Sequence, residues 1–196
     1  MNPNPIAADL FQHVRIVMGM VIGLGITRIL TGVAGMIQHA TRPQLSIVHM
    51  LWAGSMLLEL ISFWWWEFEL ATLPDWTFAT FLFLIVYCIT LYLIAALLFP
   101  DRLDGYDGYW DFFLKRRHWF FSLFALTFGL DVIDTLIKGA PYFDNLGIWY
   151  LVQVPIGVTL AVIGIWTKNW TFHLVLVLLN LAYQAAWVGK LFTVHI

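Results

Sequence analysis

Charge is scarce in this sequence. Lys, Arg, Asp and Glu together make up 11% of its 196 residues, about half the share of a typical soluble domain. The few charges that remain sum to -2, so there is no basic surface to bind nucleic acid. Cys88 is the single cysteine, which excludes an intrachain disulfide and a cysteine-rich metal site. No basic segment precedes the first apolar stretch and no small-residue cleavage pattern follows it, so that stretch is read as a retained helix rather than a removed signal peptide. No lipidation motif is apparent. A P-loop, a dinucleotide fingerprint, a GxSxG elbow and an HExxH pair are all missing. Asp131 and Asp134 do not match the Gly-Asp signature of intramembrane aspartyl proteases, and the reading leans away from an enzyme.

What is abundant is apolar and aromatic surface. Hydrophobic residues make up 61% of the chain, with 11 Trp and 16 Phe. A water-soluble fold of this size could not bury so much, whereas in a bilayer the outer face of each helix is solvated by lipid. Six apolar runs approach the roughly 20 residues that cross a bilayer as helix. They cover 14–38, 45–66, 76–99, 119–138, 146–167 and 170–192. The runs are continuous rather than alternating, which argues against a β-barrel. The expected fold is therefore an all-α, polytopic integral membrane bundle of six transmembrane helices in a single membrane domain, 1–196. The long connection in the middle would divide it into two three-helix halves, related by inversion as in some transporters.

That connection, 100–117, reads as an interfacial cytoplasmic loop. Asp104-Gly105 and Asp107-Gly108 are turn signals, and Trp110, Phe112 and Phe113 beside Lys115, Arg116 and Arg117 suit a segment on the membrane surface. Its four aspartates do not follow the EF-hand spacing. Trp64, Trp65 and Trp66 read as headgroup-level anchors. Arg42, Arg102, Lys115, Arg116, Arg117 and Lys168 fall in the first, third and fifth connections, so the positive-inside rule puts those in the cytoplasm and both ends of the chain outside it. A bacterial inner membrane suits this style of protein.

Arg28, Glu59, Asp131 and Asp134 stand inside predicted spans, where each charge costs about 2.5 kcal/mol or more at the bilayer centre. Helical periodicity gives them company. Gly25, Arg28, Gly32 and Gly35 share a stripe, and glycines there admit a close neighbour. Gly19 and Gly23 mark a second face, so the first helix is expected to sit centrally. Trp52, Ser55, Glu59, Ser62 and Trp66 align on the second span, and Thr127, Asp131, Asp134 and Lys138 on the fourth. Tyr150, Gln153, Gly157 and Gly164 align on the fifth, and His173, Asn180, Gln184 and Trp187 on the sixth. At about 1.5 Å per residue, Glu59, Asp131, Gln153 and Gln184 lie about 20 Å from the basic end, and Arg28 and Asn180 about 15 Å. Arg28 is therefore expected to pair with Glu59 or Asp131. Pro155 frees a backbone carbonyl beside Gln153.

Three functions compete on these residues. The first is a carrier or channel for protons, cations or a small solute, with Arg28, Glu59, Asp131, Asp134, Gln153, Asn180 and Gln184 as its pathway. The second is a non-transporting scaffold or assembly subunit whose polar layer is purely structural. The third is a membrane haem or quinone protein, in which His49 and His173, at similar depth, would ligate haem. The first two require no cofactor. The lipid bilayer is the one certain partner, and self-association into a homo-oligomer is compatible with the pattern.

Overall fold

A computed structural model describes residues 5–39, 45–73, 75–101 and 103–193, with side chains described for 9–38, 45–73, 75–101 and 103–189. Arg42 and Arg102, on which part of the orientation argument rests, lie outside the described residues. Every regular element is helical: α1 (Pro5–His39), α2 (Ile47–Trp66), a 3-10 helix (Glu67–Thr72), α3 (Phe78–Leu98), α4 (Tyr109–Lys138), α5 (Ala140–Leu146), α6 (Ile148–Trp166) and α7 (Trp170–Thr193). Six of these helices are long and apolar enough to span a membrane, and the protein is a multi-pass helical bundle.

Three boundaries differ from the sequence reading, the first being α1, which starts at Pro5 rather than near 14. α4 starts at Tyr109 rather than near 119, so 109–117 is helix and the connection shrinks to about 100–108. Thirty residues of helix span about 45 Å, more than the roughly 30 Å hydrocarbon core. Asp111, Lys115 and Arg116 can therefore stay helical in the headgroup layer. The Asp111–Lys115 pair at 2.8 Å supports that first turn from i to i+4. The Gly139-Ala140-Pro141 breaker opens a short helix, α5, with Pro141 in its first turn, where proline's missing N–H costs nothing.

The helix starts follow from polar caps. Ser46 precedes α2 and its hydroxyl faces the His49 N–H at 3.4 Å. The Thr77 hydroxyl accepts from Thr80 N–H at 3.1 Å. The Asn169 side chain accepts from Thr171 and Phe172 N–H at 2.9 and 3.3 Å, which turns α6 tightly into α7. Each cap satisfies N–H groups the first turn cannot. Gly139 and Gly147 bracket α5 at φ 97° and 70°, backbone conformations that L side chains avoid.

Packing is led by small residues. A Cβ on Gly25 would touch Leu60 of α2 at 3.2 Å and the Tyr92 backbone of α3 at 3.6 Å, and one on Gly32 would stand 2.1 Å from the Phe99 ring. Gly35 and Gly23 have open space instead. Gly157 and Gly164 of α6 admit Phe128 and Phe121 of α4, at 2.3 and 3.0 Å from the would-be Cβ atoms. Gly32→Ala is thus expected to cost about 1–3 kcal/mol through overpacking, and Gly35→Ala to change little. Thermal denaturation of the two variants in lipid nanodiscs checks the contrast.

α1 packs chiefly along α3 and secondarily on α2, and it supplies no wall of the central cavity. It is a flanking helix, not the central one its two glycine faces suggested. The three-helix halves are also not packed alike. In the first half the first and third spans are closest, and in the second half the fourth and fifth are. α7 leaves its own half to pack on α2. The result is two layers, α4 with α6 and α2 with α7, with α3 against α4 and α2.

A candidate binding cavity between the helix layers

Between those layers lies a cavity of about 770 Å³, walled by residues of α2, the 3-10 helix, α3, α4, α5, α6 and α7. That size falls within the roughly 300–1,000 Å³ of drug-sized ligand sites. Much of the lining is aromatic or aliphatic, including Phe63, Leu91, Ile94, Phe124 and Phe128. Six of the seven residues proposed from the sequence line it: Glu59, Asp131, Asp134, Gln153, Asn180 and Gln184. Among the described lining residues five are acidic (Glu59, Glu67, Glu69, Asp131, Asp134) and one, Lys138, is basic.

Lys138 ends α4 and holds two of these acids. Its Nζ donates to Asp134 Oδ2 at 2.5 Å and to Glu67 Oε1 at 3.1 Å. All three side chains are at most 5% exposed. The second oxygens, Glu67 Oε2 and Asp134 Oδ1, are buried and find no hydrogen-bond donor in the protein. Tyr142 of α5 lies over the same ammonium, 5.2 Å from ring centroid to Nζ. Burial raises its phenol above the usual value, with the Lys138 charge pulling the other way.

Glu59 and Asp131 are held differently. Glu59 Oε2 accepts from Gln184 Nε2 at 2.8 Å. Gln184 Nε2 also donates to Ser55 O at 3.3 Å, while its Oε1 accepts from the Ser55 hydroxyl at 3.2 Å. The same hydroxyl accepts from Asn180 Nδ2 at 2.7 Å. This braid ties α2 to α7. On the other layer Asp131 Oδ2 accepts from the Tyr150 hydroxyl at 2.8 Å, and that hydroxyl also meets Thr135 at 3.1 Å. Gln153 accepts from the Tyr183 hydroxyl, a bond from α7 to α6. Every one of these partners is neutral. Among the described residues no cation pairs with Glu59 or Asp131.

Arg28 does not join them. Its guanidinium donates to Phe99 O at 2.8 Å and pairs with Asp101 at 2.7 Å, and it does not line the cavity. The expected pairing with Glu59 or Asp131 is therefore corrected. α1 runs well past the end of α3, so Arg28 sits level with the α3 C-terminus, where unpaired carbonyls and the negative end of the helix dipole attract a cation. Asp101 is 87% exposed, so the pair contributes little beyond the carbonyl bond. Arg28→Gln is expected to cost about 1 kcal/mol and to leave cation binding in the cavity unchanged. Chemical denaturation and ligand titration of the one variant test both parts.

The histidines are occupied as well. His49 Nε2 faces Leu98 O at 2.5 Å and His173 Nε2 faces Thr167 O at 3.1 Å. Both rings are buried among aromatics, His49 against Phe99 and Tyr109, His173 against Trp110, Phe113 and Phe121. Neither Nε2 is free for iron, the Nδ1 atoms are buried without a partner, and neither residue lines the cavity. Glu67 and Tyr183 are cavity residues that the sequence reading did not single out. Glu67 closes the second apolar run, where a charge reads as the polar end of a span. Trp65 and Trp66, read as headgroup anchors, also line the cavity.

No family model matches this chain, and neither the curated proteins nor the solved structures contain a match.

Proposed function

We propose that this membrane protein binds a small cationic solute in the central cavity and carries it across the bilayer in a proton-linked manner, with Glu59 and Asp131 as the charge-bearing site. One observation carries the reading: two carboxylates line a roomy cavity with neutral hydrogen bonds and, among the described residues, no direct ion pair to either. An intramembrane carboxylate without a partner is expensive, and either a proton or a bound cation relieves it. A purely structural network would be expected to pair its charges and fill its space, as Lys138 does with Glu67 and Asp134. The cavity is far larger than a bare ion, and its aromatic lining suits an organic cation.

Proteoliposomes carrying a luminal pH dye test this. Adding guanidinium outside, a cation whose free base is too scarce to cross the bilayer unaided, should move protons in the wild type and in Arg28→Gln, but not in Glu59→Gln/Asp131→Asn. Equal signals in protein-free vesicles would overturn the reading. Correctly folded protein that stays silent would favour the scaffold alternative.

The proposed setting is a bacterial inner membrane with both ends of the chain outside the cytoplasm, and the end of the cavity at Glu67, Lys138 and Tyr142 facing outward. The motive is the Lys115–Arg117 cluster at the opposite end. Reporter fusions after Lys168 and at the C-terminus should report cytoplasm and exterior respectively. The reverse pair would invert the orientation.

A further inference from the structure

We infer that the solute is an amphipathic amine, a primary ammonium on an apolar tail, and that it enters sideways from the bilayer between α6 and α7. The inference rests on the proposed cation site. It adds the tail and the route.

The lining divides by chemistry. The carboxylates of Glu59 and Asp131 offer one charged anchor, while Phe63, Leu91, Ile94 and Phe124 line the cavity with apolar surface. A hydrated inorganic ion gains nothing from that apolar wall, whereas an alkyl tail does. An ammonium with N–H groups can donate to those carboxylates as well as pair with them, which a quaternary centre cannot.

The route follows from the packing. α6 and α7 are consecutive, joined by the turn at 167–169, yet they pack sparsely on each other, because α6 lies on α4 and α7 on α2. Both nevertheless line the cavity, so the seam between them is thin. Tyr183 marks it: this residue lines the cavity and is 37% exposed. Its bond to Gln153 spans the seam, and none of the salt bridges among the described residues joins α6 to α7.

The test uses protein in lipid nanodiscs, with ethylammonium and dodecylammonium as probes and dodecyl sulfate and dodecanol as controls, read by tryptophan fluorescence and thermal shift. Each methylene taken from water is worth about fourfold in affinity. Dodecylammonium should therefore half-saturate at least about a hundredfold lower than ethylammonium. The controls should not saturate, and Glu59→Gln/Asp131→Asn should abolish the effect. A Gln153→Cys/Tyr183→Cys pair in a Cys88→Ala background, bridged with a bis-maleimide whose spacer contains a disulfide, should slow dodecylammonium binding at least about tenfold, and reduction should restore it. Tyr183→Phe, which removes the hydroxyl and with it the bonds to Gln153 and Trp187, should speed it.

Equal affinity for the two amines would overturn the amphipathic substrate and leave the cation site standing. Dodecylammonium binding that survives the double carboxylate substitution would be membrane partitioning, which overturns the inference. An unchanged rate in the bridged pair together with an unchanged Tyr183→Phe rate would overturn the lateral route. Failure of both amines to bind folded protein would remove the cation reading with it.

Discussion

Lys138→Met is expected to destabilise the protein by about 3–5 kcal/mol, the range for removing one partner from a buried ionic group. Lys138 Nζ lies 2.5 Å from Asp134 and 3.1 Å from Glu67, and its side chain is 1% exposed. The methionine keeps the length and much of the volume, so lost packing is a minor part of the effect. What remains is two buried carboxyl groups facing each other with no cation between them. The triple variant Glu67→Gln/Asp134→Asn/Lys138→Met removes the whole ionic group and should recover most of the loss, since a buried triad replaced as a unit is often neutral or better. Equilibrium denaturation of the three proteins in mixed micelles measures it. A single variant as stable as the wild type would mean that the cluster is not the dry, coupled group its geometry describes.

Glu59→Gln should act in the opposite sense, with stability nearly kept and binding lost. Glutamine is isosteric, and its carbonyl oxygen can still accept from Gln184 Nε2, so the braid of Ser55, Asn180 and Gln184 survives. The charge does not. A hydrogen bond to a charged group is worth about 1.5–3 kcal/mol, so cation affinity should fall roughly tenfold to a hundredfold. Asp131→Asn should behave alike, because its partner Tyr150 also donates to a neutral amide oxygen. If the two carboxylates share one cation, the double variant should lose less than the sum of the singles. Variants that lose stability without losing affinity would mark the pair as structural.

The bundle was legible because lipid imposes a simple rule: apolar runs of about 20 residues become spans. The polar faces of α2, α4, α6 and α7 were legible for a similar reason. A stripe such as Ser55 and Glu59, or Asp131, Asp134 and Lys138, depends on helical periodicity alone, and periodicity survives folding. The i to i+4 reach of Lys138 to Asp134 follows from the same spacing. Arg28 was misplaced because depth counted from a span's end presumes that all helices end level, and α1 overruns α3. Glu67 was overlooked because it stands at the edge of its apolar run, where a charge reads as the end of a span. The early start of α4 was hidden by its charges, which read as loop although a helix longer than the bilayer carries them in the headgroup layer. Which helices pair could not be read from stripes at all. That α7 crosses to α2, and so opens the cavity, depends on side-chain fit across elements far apart in sequence.

The most direct test is an equilibrium titration of the purified protein in nanodiscs with ethylammonium, followed by tryptophan fluorescence, since Trp65, Trp66 and Trp187 line the cavity. The account predicts one saturable site in the wild type, kept in Arg28→Gln and lost in Glu59→Gln/Asp131→Asn. Saturation that is identical in the wild type and in the double carboxylate variant would contradict it.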